Sequence, residues 1–165
     1  MKLSRLFLLL SCLSCISQNS VEEVLDRYNS HSVPYISVEQ LKAIQQKDSV
    51  ILLDAREPEE FQVSHLKNAT YVGYKDFSAE EIQQQFPDKN QPIVVYCSLG
   101  VRSEKIGEKL QQLGYKNIQN LYGGIFEWKN NNYPVFTSEN KETNNKVHAY
   151  SRRWSKWLKN AEKVY

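Results

Sequence analysis

The run Cys97-Ser98-Leu99-Gly100-Val101-Arg102-Ser103 gathers a thiol, a glycine, a guanidinium and two hydroxyls into one short loop. It follows Pro92-Ile93-Val94-Val95-Tyr96, an apolar run that reads as a strand buried on both faces. Cys97 therefore falls at a strand's C-terminal end, where parallel α/β sheets place their ligand sites. The pattern after the loop predicts a helix from about Ser103 to Leu113, with Ile106, Leu110 and Leu113 inward and Gly114 as its stop. The unpaired N–H groups and positive end of that helix point back at the sulfur. Gly100 permits a tight turn that aims amides inward as an anion nest, Arg102 adds fixed positive charge, and Ser103 is the expected helix cap. All of these favour a thiolate, so a lowered Cys97 pKa is expected. Such a thiolate can attack an electrophilic sulfur and then hold the resulting persulfide in the same ring of donors.

The surrounding elements must position this loop. Ser37-Val38-Glu39-Gln40 is a capping box opening a helix with Val38, Leu41 and Ile44 on one stripe. Val50-Ile51-Leu52-Leu53-Asp54 reads as a second doubly buried strand. Pro58 starts a short acidic helix to Ser64, Ala69–Val72 suggests a short strand, and Ser78-Ala79-Glu80-Glu81 opens a helix towards Phe86. Asn117–Leu121 reads as a strand, and Tyr122-Gly123-Gly124 as a turn before a helix through Trp128, lacking the glycine spacing of a nucleotide fingerprint. Alternating strands and helices predict a mainly parallel sheet covered on both faces, with one domain over residues 33–136.

Composition sets the outer limits. The 165 residues are 41% hydrophobic and 24% charged, which excludes a collagen, a polytopic membrane protein and a wholly disordered chain. With 21 Lys plus Arg against 19 Asp plus Glu, nothing calls for nucleic acid or another polyanionic partner. Three cysteines, Cys12, Cys15 and Cys97, are too few for a disulfide scaffold. Asp54 and Arg56 read as a buried structural pair, with Glu60 as a candidate third member. His65 reads as a structural hydrogen-bonding residue, because no second metal-type ligand lies at a helical or hairpin spacing; no metal or other cofactor is expected.

Taken in order, these motifs resemble the single-domain rhodaneses, over about residues 33–136. The landmarks are Asp54-Ala55-Arg56-Glu57, the acidic Glu59-Glu60-Phe61, His65 with Ala69, the strand and loop Val94–Ser103, Leu121-Tyr122-Gly123-Gly124-Ile125-Phe126-Glu127-Trp128, and Pro134-Val135. One departure is Ser64-His65-Leu66-Lys67-Asn68-Ala69, which lacks both glycines of the family's Gly-His-Ile-x-Gly-Ala. The resemblance implies a three-layer α/β fold with a mainly parallel sheet of about five strands. It implies a sulfurtransferase in which Cys97 is the persulfide-forming nucleophile and Ser98, Leu99, Gly100, Val101 and Arg102 form the cradle. Asp54, Arg56 and Ser103 would give structural support. The partners would be a small sulfur donor, thiosulfate or a persulfide, and a thiol or cyanide acceptor, and the expected state is a monomer.

Two rival classes of function share this loop or this fold. Tyrosine phosphatases place five residues between Cys and Arg, whereas here Ser98 to Val101 intervene, and no Asp stands nearby as an obvious general acid; phosphatase or arsenate reductase chemistry is one rival. The other is a non-catalytic binding module on the same fold.

The flanks carry separate signals. Lys2 and Arg5 before Leu6-Phe7-Leu8-Leu9-Leu10 are the grammar of a signal peptide or lipoprotein leader over residues 1–17, too short to span a bilayer. Lipidation at Cys12 or Cys15 and cleavage after Ser17 all remain open; each implies export, to a bacterial periplasm or a membrane anchor, in a manner similar to secreted rhodaneses. Residues 18–32 form a lead-in and 137–146 a polar linker. In 147–165, Trp154, Trp157, Leu158, Ala161 and Tyr165 recur at helical spacing opposite basic residues, which predicts a basic aromatic helix. Its tryptophans are expected to dock on the domain, the alternative being contact with a membrane surface.

Overall fold

The computed structural model describes residues 20–45, 50–139, 141–143 and 145–165. The leader, with Cys12, Cys15 and Ser17, lies outside the described residues. Five parallel strands make the main sheet: β1 (Tyr35–Ile36), β2 (Ile51–Asp54), β3 (Thr70–Tyr71), β4 (Ile93–Tyr96) and β5 (Ile118–Leu121), in the order β1-β5-β4-β2-β3. The apolar runs became the central pair: β2 and β4 align Ile51 with Ile93 through Asp54 with Tyr96. Alternation then divides the side chains between two faces. Leu52, Val94 and Tyr96 join one core, while Leu53, Ile93 and Val95 join the other.

The first core is covered by α2 (Val38–Gln45), α6 (Gly124–Asn130) and part of α1 (Val21–Tyr28), through Leu41, Ile125, Phe126, Trp128 and Val24. The second is covered by α4 (Ala79–Gln85) and α5 (Val101–Gln112), through Ile82, Ile106 and Leu110. The short helix α3 (Pro58–Val63) follows β2 and carries a reciprocal capping box between Glu57 and Glu60. This is the expected three-layer α/β architecture. Where the family pattern has its second glycine, Asn68 takes the left-handed backbone at φ +59°, a conformation asparagine tolerates well among non-glycine residues.

The lead-in contains α1, capped by the Ser20 side chain, and its Leu25 is buried in the fold. Two expectations for the C-terminal flank need correction. The supposed linker folds back: Thr143 N–H donates to the Val135 carbonyl, and Phe136 bridges both His65 and Glu142. The tail is not one helix but β6 (Lys146–His148), a 3-10 turn at Ser155–Trp157 and β7 (Glu162–Val164), with β6 and β7 paired in parallel.

The reason lies in tertiary hydrogen bonds that replace helical ones. Asn130, closing α6, donates to the Trp157 carbonyl and accepts from the Lys159 and Asn160 N–H groups. Val147, Ala149 and Leu158 are fully buried, and Trp154 and Trp157 lie half-buried against the same core. The tryptophans thus dock on the domain, as expected, from a different local structure. Among the described residues no helix is long and apolar enough to cross a membrane.

Candidate active site

Cys97 follows β4 directly and is 2% exposed. Its carbonyl and that of Ser98 accept from the Ile125 and Phe126 N–H groups of α6, at 2.9 and 3.2 Å. This contact requires Gly124, at φ +55°: a Cβ there would stand 2.2 Å from the Cys97 carbonyl oxygen. The Gly100 carbonyl is held from a third direction by the side-chain amides of Asn120 (2.8 Å) and Asn29 (3.0 Å). Because a trans peptide sets N–H opposite C=O, these anchors turn the N–H groups of Ser98, Leu99 and Val101 away from α6 and the two asparagines.

The sulfur sits at the head of α5, whose first-turn N–H groups have no carbonyl one turn earlier. The Gly100 N–H donates to Cys97 Sγ at 3.1 Å. Gly100 makes this turn at φ +115°, backbone that glycine adopts freely. Helix α5 begins at Val101, earlier than expected, with Gly100 as its cap position. Ser103 therefore does not cap it. Its buried hydroxyl lies 2.7 Å from Asn120 Oδ1 and 3.6 Å from Cys97 Sγ, poised between the two acceptors.

Burial pushes the Cys97 thiol pKa up, but the Arg102 charge, the Ser103 hydroxyl and the N–H groups of Ser103 and Gly100 outweigh it, leaving the thiol below its ordinary value. Arg102 acts through its charge while its donors are spoken for. Both terminal nitrogens bond Glu60, at 2.5 and 2.8 Å, and one also reaches Ser98 Oγ at 3.0 Å. Burial raises and Arg102 lowers the Glu60 pKa, with the net below the ordinary glutamate value. Glu60, a candidate third member of the Asp54–Arg56 pair from the sequence, bonds Arg102 instead.

Arg56 forms its own closed site. Nε and Nη2 fork onto Asp54 at 2.9 and 2.6 Å, and Nη2 also donates to the Ser64 carbonyl. Both side chains are wholly buried, the structural arrangement expected for them. His65 contacts the Leu66 carbonyl through Nδ1 at 2.9 Å and stacks on Phe61, again a structural placement. Trp128 is buried packing, its indole N–H bonded to the Pro134 carbonyl.

A cavity of about 80 Å³ opens at the loop, lined by Cys97, Ser98, Leu99, Val101, Arg102, Tyr150 and Trp154. The structure thus brings the sequence-expected loop together and adds residues that sequence reading missed. Asn29 follows a helix that Ser20-Val21-Glu22-Glu23 signals with the same capping grammar read at Ser37 and Ser78. Asn120 carries a weaker cue, a polar side chain inside a strand that proves fully buried. Tyr150 and Trp154 had no local signal for this position.

Comparison with known proteins agrees with the fold. The model of the rhodanese-like domain matches residues 37–131, more than half the chain. A thiosulfate sulfurtransferase, GlpE of Vibrio cholerae, is 28% identical over 104 residues, covering 63% of this chain and 95% of that protein. The adenylyltransferase and sulfurtransferase UBA4 of Candida albicans is 37% identical over 90 residues, 52% of this chain but 20% of that protein. A tRNA uridine(34) hydroxylase of Aster yellows witches'-broom phytoplasma is 34% identical over 112 residues, 66% of this chain and 36% of the relative. The chain thus spans about a third or less of these last two relatives. Among solved structures, a rhodanese-related protein from Thermoplasma volcanium aligns with a TM-score of 0.50 at 28% identity, over 62% of this chain and 96% of that one. A thiosulfate sulfurtransferase from Pseudomonas aeruginosa shares the fold at a TM-score of 0.61 and 17% identity, over 82% of this chain and 25% of that one. With its matching family model and its five-stranded parallel sheet, the chain belongs to the rhodanese-like domain family.

Proposed function

We propose that the protein is a sulfurtransferase that carries a sulfane sulfur on Cys97. The observation that carries this reading is the sulfur itself: buried at the end of β4, 3.1 Å from the Gly100 N–H, at the head of α5 and open to a small cavity. A buried structural cysteine needs neither the donor nor the opening. A thiolate needs both, since the dipoles hold its charge and the cavity admits its partner.

In the first half-reaction the Cys97 thiolate attacks the outer sulfur of thiosulfate or another sulfane donor. A new S–S bond forms, the donor's S–S bond breaks, and sulfite leaves with the bonding pair. The persulfide's terminal sulfur is anionic and lies among the N–H groups that α6, Asn29 and Asn120 have turned from their carbonyl anchors. In the second half-reaction a thiolate or cyanide attacks that outer sulfur, and Cys97 departs as thiolate, stabilised again by Gly100 N–H, Ser103 and Arg102. Three of the cradle residues have particular roles: Ser98 ties Arg102 to Glu60, and Leu99 and Val101 furnish apolar lining.

The test is thiocyanate formation from thiosulfate and cyanide, with intact-mass analysis after donor treatment alone. Cys97 is expected to gain the mass of one sulfur atom and lose it on adding cyanide. Turnover with an unmodified Cys97 would defeat this mechanism. Silence with every sulfane donor would leave the fold as a binding module.

A further inference from the structure

Beyond the family domain, the tail crosses in front of the catalytic loop. Residues Val147, Ala149 and Leu158 are fully buried, so the segment between them is pinned at both ends. Strand β6 packs beside α3, the helix that carries Glu60. Between the pins, Tyr150 takes the left-handed backbone at φ +63°, a conformation that bulky residues rarely adopt. Local bonds hold it there: Tyr150 N–H donates to His148 Nδ1 at 3.1 Å, and Ser151 N–H to the Ala149 carbonyl at 2.7 Å. The ring is thereby placed with its centroid 4.7 Å from the Arg102 guanidinium and edge-on to Trp154 at 6.0 Å. Trp154 is itself steadied by Tyr28 and Trp157. Both rings line the cavity over Cys97.

We infer that Tyr150 and Trp154 are specificity-determining residues that restrict the Cys97 sulfur to small sulfane donors such as thiosulfate, and discriminate against bulky peptidyl persulfides. The inference rests on the sulfur-transfer reading for the identity of the substrate, but the wall has its own physical basis. A cavity of about 80 Å³ flanked on its outer side by the half-exposed Tyr150 ring and by Trp154 admits a compact anion beside the Arg102 charge. A glutathione-sized donor must displace a ring to bring its outer sulfur into line. The rings also add apolar surface to the cavity's lining.

The deciding measurement is the ratio of two alkylation rates at Cys97, a small reagent (iodoacetamide) against a bulky one (a fluorescein maleimide), in the full-length protein. Tyr150→Gly is the first variant, because glycine suits the left-handed backbone and removes the ring without a conformational cost. Trp154→Leu is the second, and Tyr150→Phe the conservative control. The bulky reagent is expected to gain about tenfold on the small one in the first two variants and to gain nothing in Tyr150→Phe. In parallel, kcat/KM for glutathione persulfide is expected to rise about tenfold relative to thiosulfate. Unchanged ratios in Tyr150→Gly and Trp154→Leu, with melting curves like that of the parent, would overturn the inference. Alkylation needs no sulfur donor, so failure to load sulfur on the parent protein would strike the sulfur-transfer reading and not the wall.

Discussion

Two arginine–carboxylate pairs stand near the C-terminal ends of the central strands, and they are put to different uses. Arg56 with Asp54, after β2, is sealed from solvent, forked and backed by the Ser64 carbonyl. Arg102 with Glu60, beside the loop after β4, keeps 12% of its arginine side chain exposed and lies under the Tyr150 ring. Both guanidinium groups are held charged by their carboxylates against the penalty of burial. What separates them is the neighbour. Arg56 faces Tyr96, whose hydroxyl accepts the Leu66 N–H, whereas the charge of Arg102 reaches Cys97. The same ion pair thus serves as a clamp when closed on all sides and as a source of field when a thiol lies beside it.

The strongest way to sharpen that contrast is to remove the thiol. Cys97→Ser should reduce thiocyanate formation on the order of 10³-fold or more while leaving the melting temperature near that of the parent. The clamp is tested next. Arg56→Met strands a buried Asp54 carboxylate and should cost about 3–5 kcal/mol in urea denaturation. Gly124→Ala drives a methyl against the Cys97 carbonyl and puts a side chain at positive φ, so roughly 1–3 kcal/mol should be lost, together with activity, as the loop is displaced.

Arg102→Gln probes the field. In the parent, the alkylation rate of Cys97 should rise with pH as the thiolate forms and level off below the range of an ordinary thiol, because the folded pKa is lowered. In Arg102→Gln the whole profile should move to higher pH, slowing the reaction near neutrality by roughly tenfold, whereas Arg56→Met should leave the profile of its folded fraction in place. At the other extreme, Lys141→Ala breaks an exposed pair with Glu139 and should change neither melting temperature nor profile.

Much of the clamp and the loop could be read in the sequence because their signals are local. Apolar runs marked β2 and β4, and Asp54 with Arg56 are near neighbours that one strand end must accommodate. The Cys–Gly–Arg spacing, with a helix after it, dictated a convergence of donors. The partner of Arg102 was harder to see. Glu60 stands 42 positions away in the chain, and only the packing of α3 decides between two nearby arginines. Strand β1 has only Tyr35 and Ile36, too short for a period-2 pattern. The requirement for glycine at 124 arises from the approach of another backbone, invisible to a reading that sees only a turn. The tail failed for a related reason: its helical spacing was real, but Asn130 claimed the backbone groups that a helix would have paired.

The position of Tyr150 and Trp154 beyond residues 37–131 has a consequence for trimming the protein to the segment that the family shares. A chain cut there would lose both rings that line the cavity beside Cys97 and, with Val147, Ala149 and Leu158, part of the apolar cluster on one face of the sheet. The family domain alone would therefore present a different sulfur, with a wider approach, on a less well covered scaffold.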